Sequence, residues 1–231
     1  MSEQLPGVVQ HSNAKTIYWS IMGGQLARKV DASFEGAKMR TNKAGVQVWE
    51  ELTRALMGKI RDVNVFENTF DNKKIKQLVI KLIPKDGWLY VINIPVQSRY
   101  YGSFLEKLPN ILLKDSVEIA PYDFEDEKTK RKNQGITIKQ NDVKLQSYYK
   151  VKEGEKYVYI NGFPPFPAEW NKLAEREKKN YFYDVDDFFT SELNKWRIKN
   201  APDYEKEREQ TSENLADDLA ASSDLNSTLP F

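Results

Sequence analysis

The chain has 231 residues, 40% of them hydrophobic and 12% aromatic, which suits one domain with extensions or two small ones. It has no cysteine and a single histidine, His11, which excludes disulfides, cysteine nucleophiles and zinc sites built from cysteine and histidine. The net charge of +1 hides an asymmetry: from Asp203 to Phe231 eight acids stand against two bases, leaving 33 bases against 26 acids in the preceding residues. A basic body with an acidic tail suits a polyanionic ligand and an interaction tail.

No run of 18 apolar residues occurs, so no membrane-spanning helix is expected. The start, MSEQLPGVVQHSNAK, lacks a basic stretch followed by an apolar one, and a cytoplasmic location is expected. No glycine-rich loop ends in Gly-Lys-Ser/Thr, so no P-loop is expected, nor any cofactor.

In chain order, residues 1–14 read as disordered. Lys15 to Val30 reads as a β-hairpin, with Ile17, Trp19 and Ile21 alternating against Thr16, Tyr18 and Ser20 and with Gly23-Gly24 as the turn. A short strand near Ala37–Thr41 and a turn over residues 42–45 follow. Val46 to Phe66 reads as one long bent strand with Gly58 at the bend, where a strand glycine marks a bulge. Ile75–Ile83 and Trp88–Val96 are two β-rich runs joined through Asp86-Gly87, a strong hairpin signal.

Ser98 is placed to cap a helix to about Leu108 that carries Tyr101, Phe104, Leu105 and Leu108 at helical spacing, with Pro109 as its stop. Ser116–Phe124 reads as a strand, followed by the charged loop EDEKTKRKN. Gly135–Lys139 and Val143–Lys150 form a closing hairpin around Asn141-Asp142. Three strands, a helix and two strands is the order of a five-stranded Greek-key OB-fold barrel; a generic α+β sheet domain is the competing architecture.

Beyond it, Tyr157–Ile160 adds a strand and Phe163-Pro164-Pro165-Phe166-Pro167 an extended connector. Two helices follow, one over about Ala168–Lys179 and one from near Asp184 with Phe189, Leu193 and Trp196 on one stripe. The expected domains are thus residues 15–160 (OB fold with N-terminal hairpin), 161–200 (helical extension packed on the barrel) and 201–231 (flexible acidic tail), with disorder over 211–227.

The densest carboxylate group of the body, Asp184, Asp186 and Asp187, falls where the second helix is expected to begin. Acids there cap backbone N–H groups and favour the helix dipole, so helix capping is preferred over a metal site. No catalytic residue is singled out.

Single-strand binding needs exposed rings that stack on bases and cations that meet phosphates. In the last expected strand Lys144, Gln146, Tyr148 and Lys150 share a face. The preceding loop carries Lys128, Lys130, Arg131 and Lys132 beside Tyr122 and Phe124, where an OB barrel joins strands four and five. Trp88 and Tyr90, near a hairpin end, are candidates for base stacking, and Lys59, Arg61 and Lys76 for phosphate contact.

At the C-terminus the acids Asp217, Asp218 and Asp224 precede Leu229-Pro230-Phe231, a tip able to insert its phenyl ring into a partner's pocket while its carboxylate meets a basic residue.

This tail resembles the tips of bacterial single-stranded DNA-binding proteins, which end in an acidic stretch and Pro-Phe. The stretches Gly45–Val65, Trp88–Leu108, Val117–Phe124 and the closing hairpin make the body look like the bacteriophage OB-fold single-stranded DNA-binding proteins. The resemblance implies a non-enzymatic protein that coats single strands without sequence preference during phage DNA replication, recombination and repair, and recruits partner proteins through its tail. Two other functions are open: a protein-binding adaptor on an OB scaffold working through the tail, and a nuclease using Asp184, Asp186 and Asp187.

Overall fold

A computed structural model describes residues 15–42, 45–70, 73–127, 129–154 and 156–224, the side chains of 68–70, 73 and 201–224 excepted. His11, Lys128 and the tip Leu229-Pro230-Phe231 lie outside the described residues. The protein is mainly β, with one large sheet and a long C-terminal helix.

β1 (Thr16–Met22) and β2 (Gln25–Lys29) form the N-terminal hairpin, turned by Gly23 and Gly24, both at positive φ. β3 (Lys38–Thr41) and β4 (Gln47–Thr53) extend the sheet beyond β2. At this outer end the buried Glu50 carboxylate accepts two hydrogen bonds from Arg40, at 3.0 and 2.7 Å.

The single bent strand expected over 46–66 is two strands. The chain breaks at Arg54-Ala55, where the Thr53 hydroxyl donates to the Ala55 carbonyl at 3.2 Å, and β5 (Leu56–Phe70) then pairs elsewhere. Gly58 is not the bulge; the register shift falls between Ile60 and Asp62. Glycine at 58 serves close approach instead, since a Cβ there would stand 2.9 Å from the Ile83 carbonyl oxygen.

β6 (Lys73–Ile83) and β7 (Leu89–Pro95) follow as antiparallel neighbours. α1 (Arg99–Leu105) comes next and gives way to a 3-10 turn at Leu108–Asn110. Ser98 occupies the N-cap position, but its hydroxyl donates to the Pro95 carbonyl at 2.7 Å and leaves the helix N–H groups uncapped.

β8 (Val117–Glu125) returns to pair with β5, and β9 (Lys132–Gln140) pairs with β8. The spatial order β8–β5–β6–β7 is a Greek key, a fourth strand lying beside the first. The free edge of β7 is taken by β1, in parallel, and with the short β10 (Val143–Lys144) at the far edge the sheet runs β10–β9–β8–β5–β6–β7–β1–β2–β4–β3.

The closing hairpin turns at Asn141 and Asp142, both at positive φ, but its second strand, β10 (Val143–Lys144), has only two residues. The expected strand to Lys150 does not form, because the chain leaves β9 after the Leu145 N–H bonds to Ile138 and the Tyr148 N–H bonds to the Glu106 carbonyl at 2.7 Å. A separate two-stranded sheet, β11 (Lys150–Glu153) and β12 (Lys156–Tyr159), follows.

The proline connector is irregular, as its composition demands. The two helices expected after it are one helix, α2 (Glu175–Asp224), preceded by a 3-10 turn at Trp170–Lys172. Asp184, Asp186 and Asp187 therefore lie inside a helix and do not cap its start. Helical backbone also continues through Asp217, Asp218 and Asp224, where a structureless segment is expected. The run from Glu205 to Asp224 holds four glutamates, three alanines and two leucines, all good helix formers.

The core follows the two periodicities. Alternate strand residues Val63, Leu78, Ile80, Leu82, Ile92, Ile94, Ile119, Ile136 and Ile138 are buried, and Phe104, Leu105 and Leu108 cover them from the helical layer. The α2 stripe Phe189, Leu193 and Trp196 is buried as its spacing requires. Truncating a side chain such as Phe104 to alanine is worth about 3–5 kcal/mol at a site of this kind.

Candidate nucleic-acid interface

A cleft of about 720 Å³ opens between α1, β8–β9, the β11–β12 hairpin and the first turns of α2. α1 contributes Arg99, Ser103 and Glu106, which share its face at i, i+4 and i+7, with Lys107 beside them; Tyr100, Tyr101, Phe104 and Leu105 are buried. β8 and β9 contribute Tyr122, Gln134 and Thr137, β10 adds Lys144, and the irregular segment after it adds Gln146.

The β11–β12 hairpin gives the cleft one whole face. Lys150 pairs with Tyr159 and Lys152 with Tyr157 across the ladder, and all four line the cleft, while the Val151–Val158 pair points away. Each rung presents one cation and one phenol, and successive rungs are about 7 Å apart. The inner rung is fixed: Lys150 is ion-paired to Glu106 and lies 4.8 Å from the Phe163 ring centroid, and Tyr159 stacks on Phe163 at 5.8 Å. The outer rung is exposed, with Tyr157 59% accessible.

A cluster of aromatic rings also lines the cleft. Phe163 turns inward to the core, and Phe166 packs against Trp170 and Tyr181 at 4.8 and 5.6 Å. Phe182, 59% accessible, touches Trp170 and Tyr181 and completes the cluster.

Among the described residues five cations (Arg99, Lys107, Lys144, Lys150 and Lys152) line the cleft against one carboxylate, Glu106. Burial pushes the Lys107 ammonium down, opposed by Glu106 and helped by Lys144 and Lys150; its Nζ donates to the Ser103 carbonyl at 2.7 Å. Burial and the nearby Glu106 raise the phenols of Tyr122 and Tyr159 and push that of Tyr181 up to about 12, so all three rings are neutral at physiological pH. Neutral rings beside a surplus of cations suit a ligand with flat π faces and spaced anions.

Of the residues singled out from sequence, Tyr122, Lys144 and Lys150 line this cleft. Lys132 lies near its mouth, where its carbonyl accepts from Arg99 at 3.1 Å while its ammonium pairs with Asp123. Lys130 and Arg131 are exposed in the adjacent β8–β9 connection. Tyr148 is half-exposed but does not line the cleft, because the strand that would have aligned it with Lys144 and Lys150 does not form.

Trp88 and Tyr90 sit elsewhere, around the β6–β7 turn. Lys15 lies 4.8 Å from the Trp88 ring, and the Tyr90 hydroxyl donates to Asp86 at 2.7 Å and is pushed up to about 12, mainly by burial. Lys59, Arg61 and Lys76 lie on the β5–β6 hairpin, away from the cleft.

Sequence reasoning missed Lys107, Lys152, Tyr157, Tyr159, Phe166, Tyr181 and Phe182. The signal for four cleft residues was present in KVKEGEKYVY, where Lys-x-Lys and Tyr-x-Tyr flank a glycine turn and must share a face once paired. Among the described residues no group of three His, Cys, Asp or Glu could hold a metal ion. Asp186 instead accepts the Tyr101 hydroxyl at 3.2 Å. No helix of the described residues is long and apolar enough to cross a membrane.

Compared with known proteins, the chain matches no family model, no curated protein and no solved structure.

Proposed function

We propose that this protein binds single-stranded DNA without sequence preference, and that the cleft beside α1 is where it does so. The observation that carries the reading is the face of β11–β12, where Lys150 and Lys152 pair with Tyr159 and Tyr157 in a cleft that the Phe166–Tyr181–Phe182 cluster also lines. Its repeat of about 7 Å is about twice the 3.4 Å step of a stacked strand. That repeat suits a strand opened so that rings can enter between bases, which a duplex cannot match without being unwound. Stacking on rings accepts every base, and lysines read phosphate alone, so both contributions are indifferent to sequence.

The Greek-key core with a helix between its third and fourth strands supports an OB-type barrel as the scaffold. In this arrangement β5 to β9 are the five barrel strands, β1 fills the edge of the third, and the ligand cleft lies over the fourth and fifth. The role is non-enzymatic: coating exposed strands during DNA replication, recombination and repair, as the resemblance to phage proteins implies. Partner recruitment through Asp217, Asp218, Asp224 and the Leu229-Pro230-Phe231 tip belongs to the same proposal and rests on the sequence alone.

The test is titration of the intrinsic tryptophan fluorescence with unlabelled poly-dT, at low and moderate salt, checked by gel shift against a duplex of equal length. Trp170 touches the aromatic wall and reports occupancy. Saturable, salt-sensitive binding of the single strand with much weaker binding of the duplex is the expected result. Absence of binding by both methods would sink the proposal.

A further inference from the structure

Glu106 is the one carboxylate among the described side chains that line the cleft, and it shares that lining with five cations. Its carboxylate accepts a hydrogen bond from Lys150, and its charge bears on Lys107, Tyr122, Tyr159 and Tyr181. An acid at the centre of an anion-binding surface works against the ligand.

Nor is the carboxylate needed to seat the hairpin. The Tyr148 N–H bonds to the Glu106 backbone carbonyl, the Ile160 N–H to the Tyr149 carbonyl at 2.9 Å, and the Asn161 amide to the Tyr148 carbonyl at 2.6 Å. The first of these bonds ties the base of the hairpin to the end of α1 through a backbone acceptor, independently of the Glu106 side chain, and the other two close the base of the hairpin on itself.

We propose that Glu106 is a built-in competitor of the nucleic-acid phosphates: in the empty cleft it occupies Lys150, and a bound strand must displace it. This inference rests on the single-strand reading of the cleft and assigns a regulatory element within it. The carboxylate keeps Lys150 in position while the cleft is empty, lowers affinity, and speeds release of the strand, because it stands ready to recapture the lysine as a phosphate leaves. One phosphate contact is thus exchanged for an internal ion pair, so the natural protein gives up less counterion than its number of cleft lysines implies.

The test compares the full chain with E106Q, K150Q, the E106Q/K150Q double variant and E153Q, each titrated with a fluorescein-labelled dT oligomer by anisotropy across a salt series. Circular dichroism melting checks the fold of each. E153Q removes the same charge from the β11–β12 hairpin at a position that does not line the cleft. E106Q is expected to bind at least about threefold tighter than the natural chain at low salt. Its log Kd against log salt plot should steepen by about 0.7, the value for one more phosphate contact on a single strand. In the K150Q background, where no ion pair remains to be displaced, the gain from E106Q should shrink or vanish.

Equal or weaker binding by E106Q in the natural background would overturn the assignment, as would an undiminished gain in the K150Q background or an equal gain from E153Q, either of which would mark a bulk charge effect. If the natural chain binds no oligomer, the single-strand reading and this inference fall together. Binding by the natural chain without a gain in E106Q removes the Glu106 assignment alone.

Discussion

Gly135 on β9 stands directly across the ladder from Tyr122 on β8, and a Cβ added at Gly135 would lie 2.6 Å from the Tyr122 hydroxyl and 2.8 Å from the Ser103 hydroxyl. The Tyr122 ring reaches the floor of the cleft because its partner has no side chain. The same absence lets α1 approach β9 closely enough for the Ile136 N–H to donate to Ser103 Oγ at 2.9 Å. Gly135→Ala must push the ring or the helix aside, and a stiff ring beside a packed helix gives way poorly. We expect a loss of about 1–3 kcal/mol in stability, read as a lower urea midpoint with an unchanged slope. Tyr122→Ala in the same chain should recover part of that loss, and an unaltered midpoint in Gly135→Ala would show that the contact relaxes without cost.

Tyr157 and Phe182 both line the cleft, and each leaves more than half of its surface exposed. Their rings bury little in the empty protein. Tyr157→Ala and Phe182→Ala should therefore each weaken poly-dT binding by about 1–3 kcal/mol while shifting the thermal midpoint little. Paired binding and melting curves check this, and a loss of binding that tracks a loss of stability would point to a packing role instead.

Lys152 stands at the exposed outer rung, whereas Lys59 and Lys76 lie on the β5–β6 hairpin. Lys152→Gln should lower the slope of log Kd against log salt by about 0.7 for a single strand. Lys59→Gln and Lys76→Gln should leave that slope unchanged, and Trp88→Phe should leave poly-dT affinity unchanged. A slope that falls equally in all three lysine variants would place the strand across the β5–β6 hairpin as well.

The Arg40 guanidinium beside Glu50 holds its carboxyl below the ordinary value of 4.5, chiefly through the hydrogen bond. A depressed carboxylate pKa contributes stability that is present above the unfolded value and lost as pH falls through the folded one. The natural chain should thus be more stable than E50Q at neutral pH, with the gap narrowing once pH falls below the ordinary carboxylate range. Urea midpoints of both chains from pH 7 downward check this; a gap independent of pH would mean that packing of the side chain, and not its charge, is what matters.

Much of the strand pattern was legible in the sequence because its determinants are local. Alternation sets the buried face of β6 and β7, Gly23-Gly24 and Asn141-Asp142 supply the positive φ that tight hairpins require, and the i, i+4, i+7 stripe of Phe189, Leu193 and Trp196 can be buried only along one side of a helix. Tyr122, Lys144 and Lys150 were recognisable as cleft residues by type and spacing, although the strand that was to align Lys144 with Lys150 does not exist.

What the tertiary structure decided is where separate segments meet. The parallel pairing of β1 with β7 has no local signature, since it joins Tyr18 to Val91 across most of the Greek key. The break between β4 and β5 is decided by partners, β2 and β3 for one and β6 and β8 for the other, and not by propensity along 46–66. The cleft draws Arg99, Tyr122, Lys152 and Phe182 from four elements, and only packing α2 beside α1 and folding β11–β12 over them brings those residues together. Period and turn chemistry act within a few residues and are written in order along the chain, whereas a binding surface is made by long-range contacts that the order of residues specifies only through the whole fold.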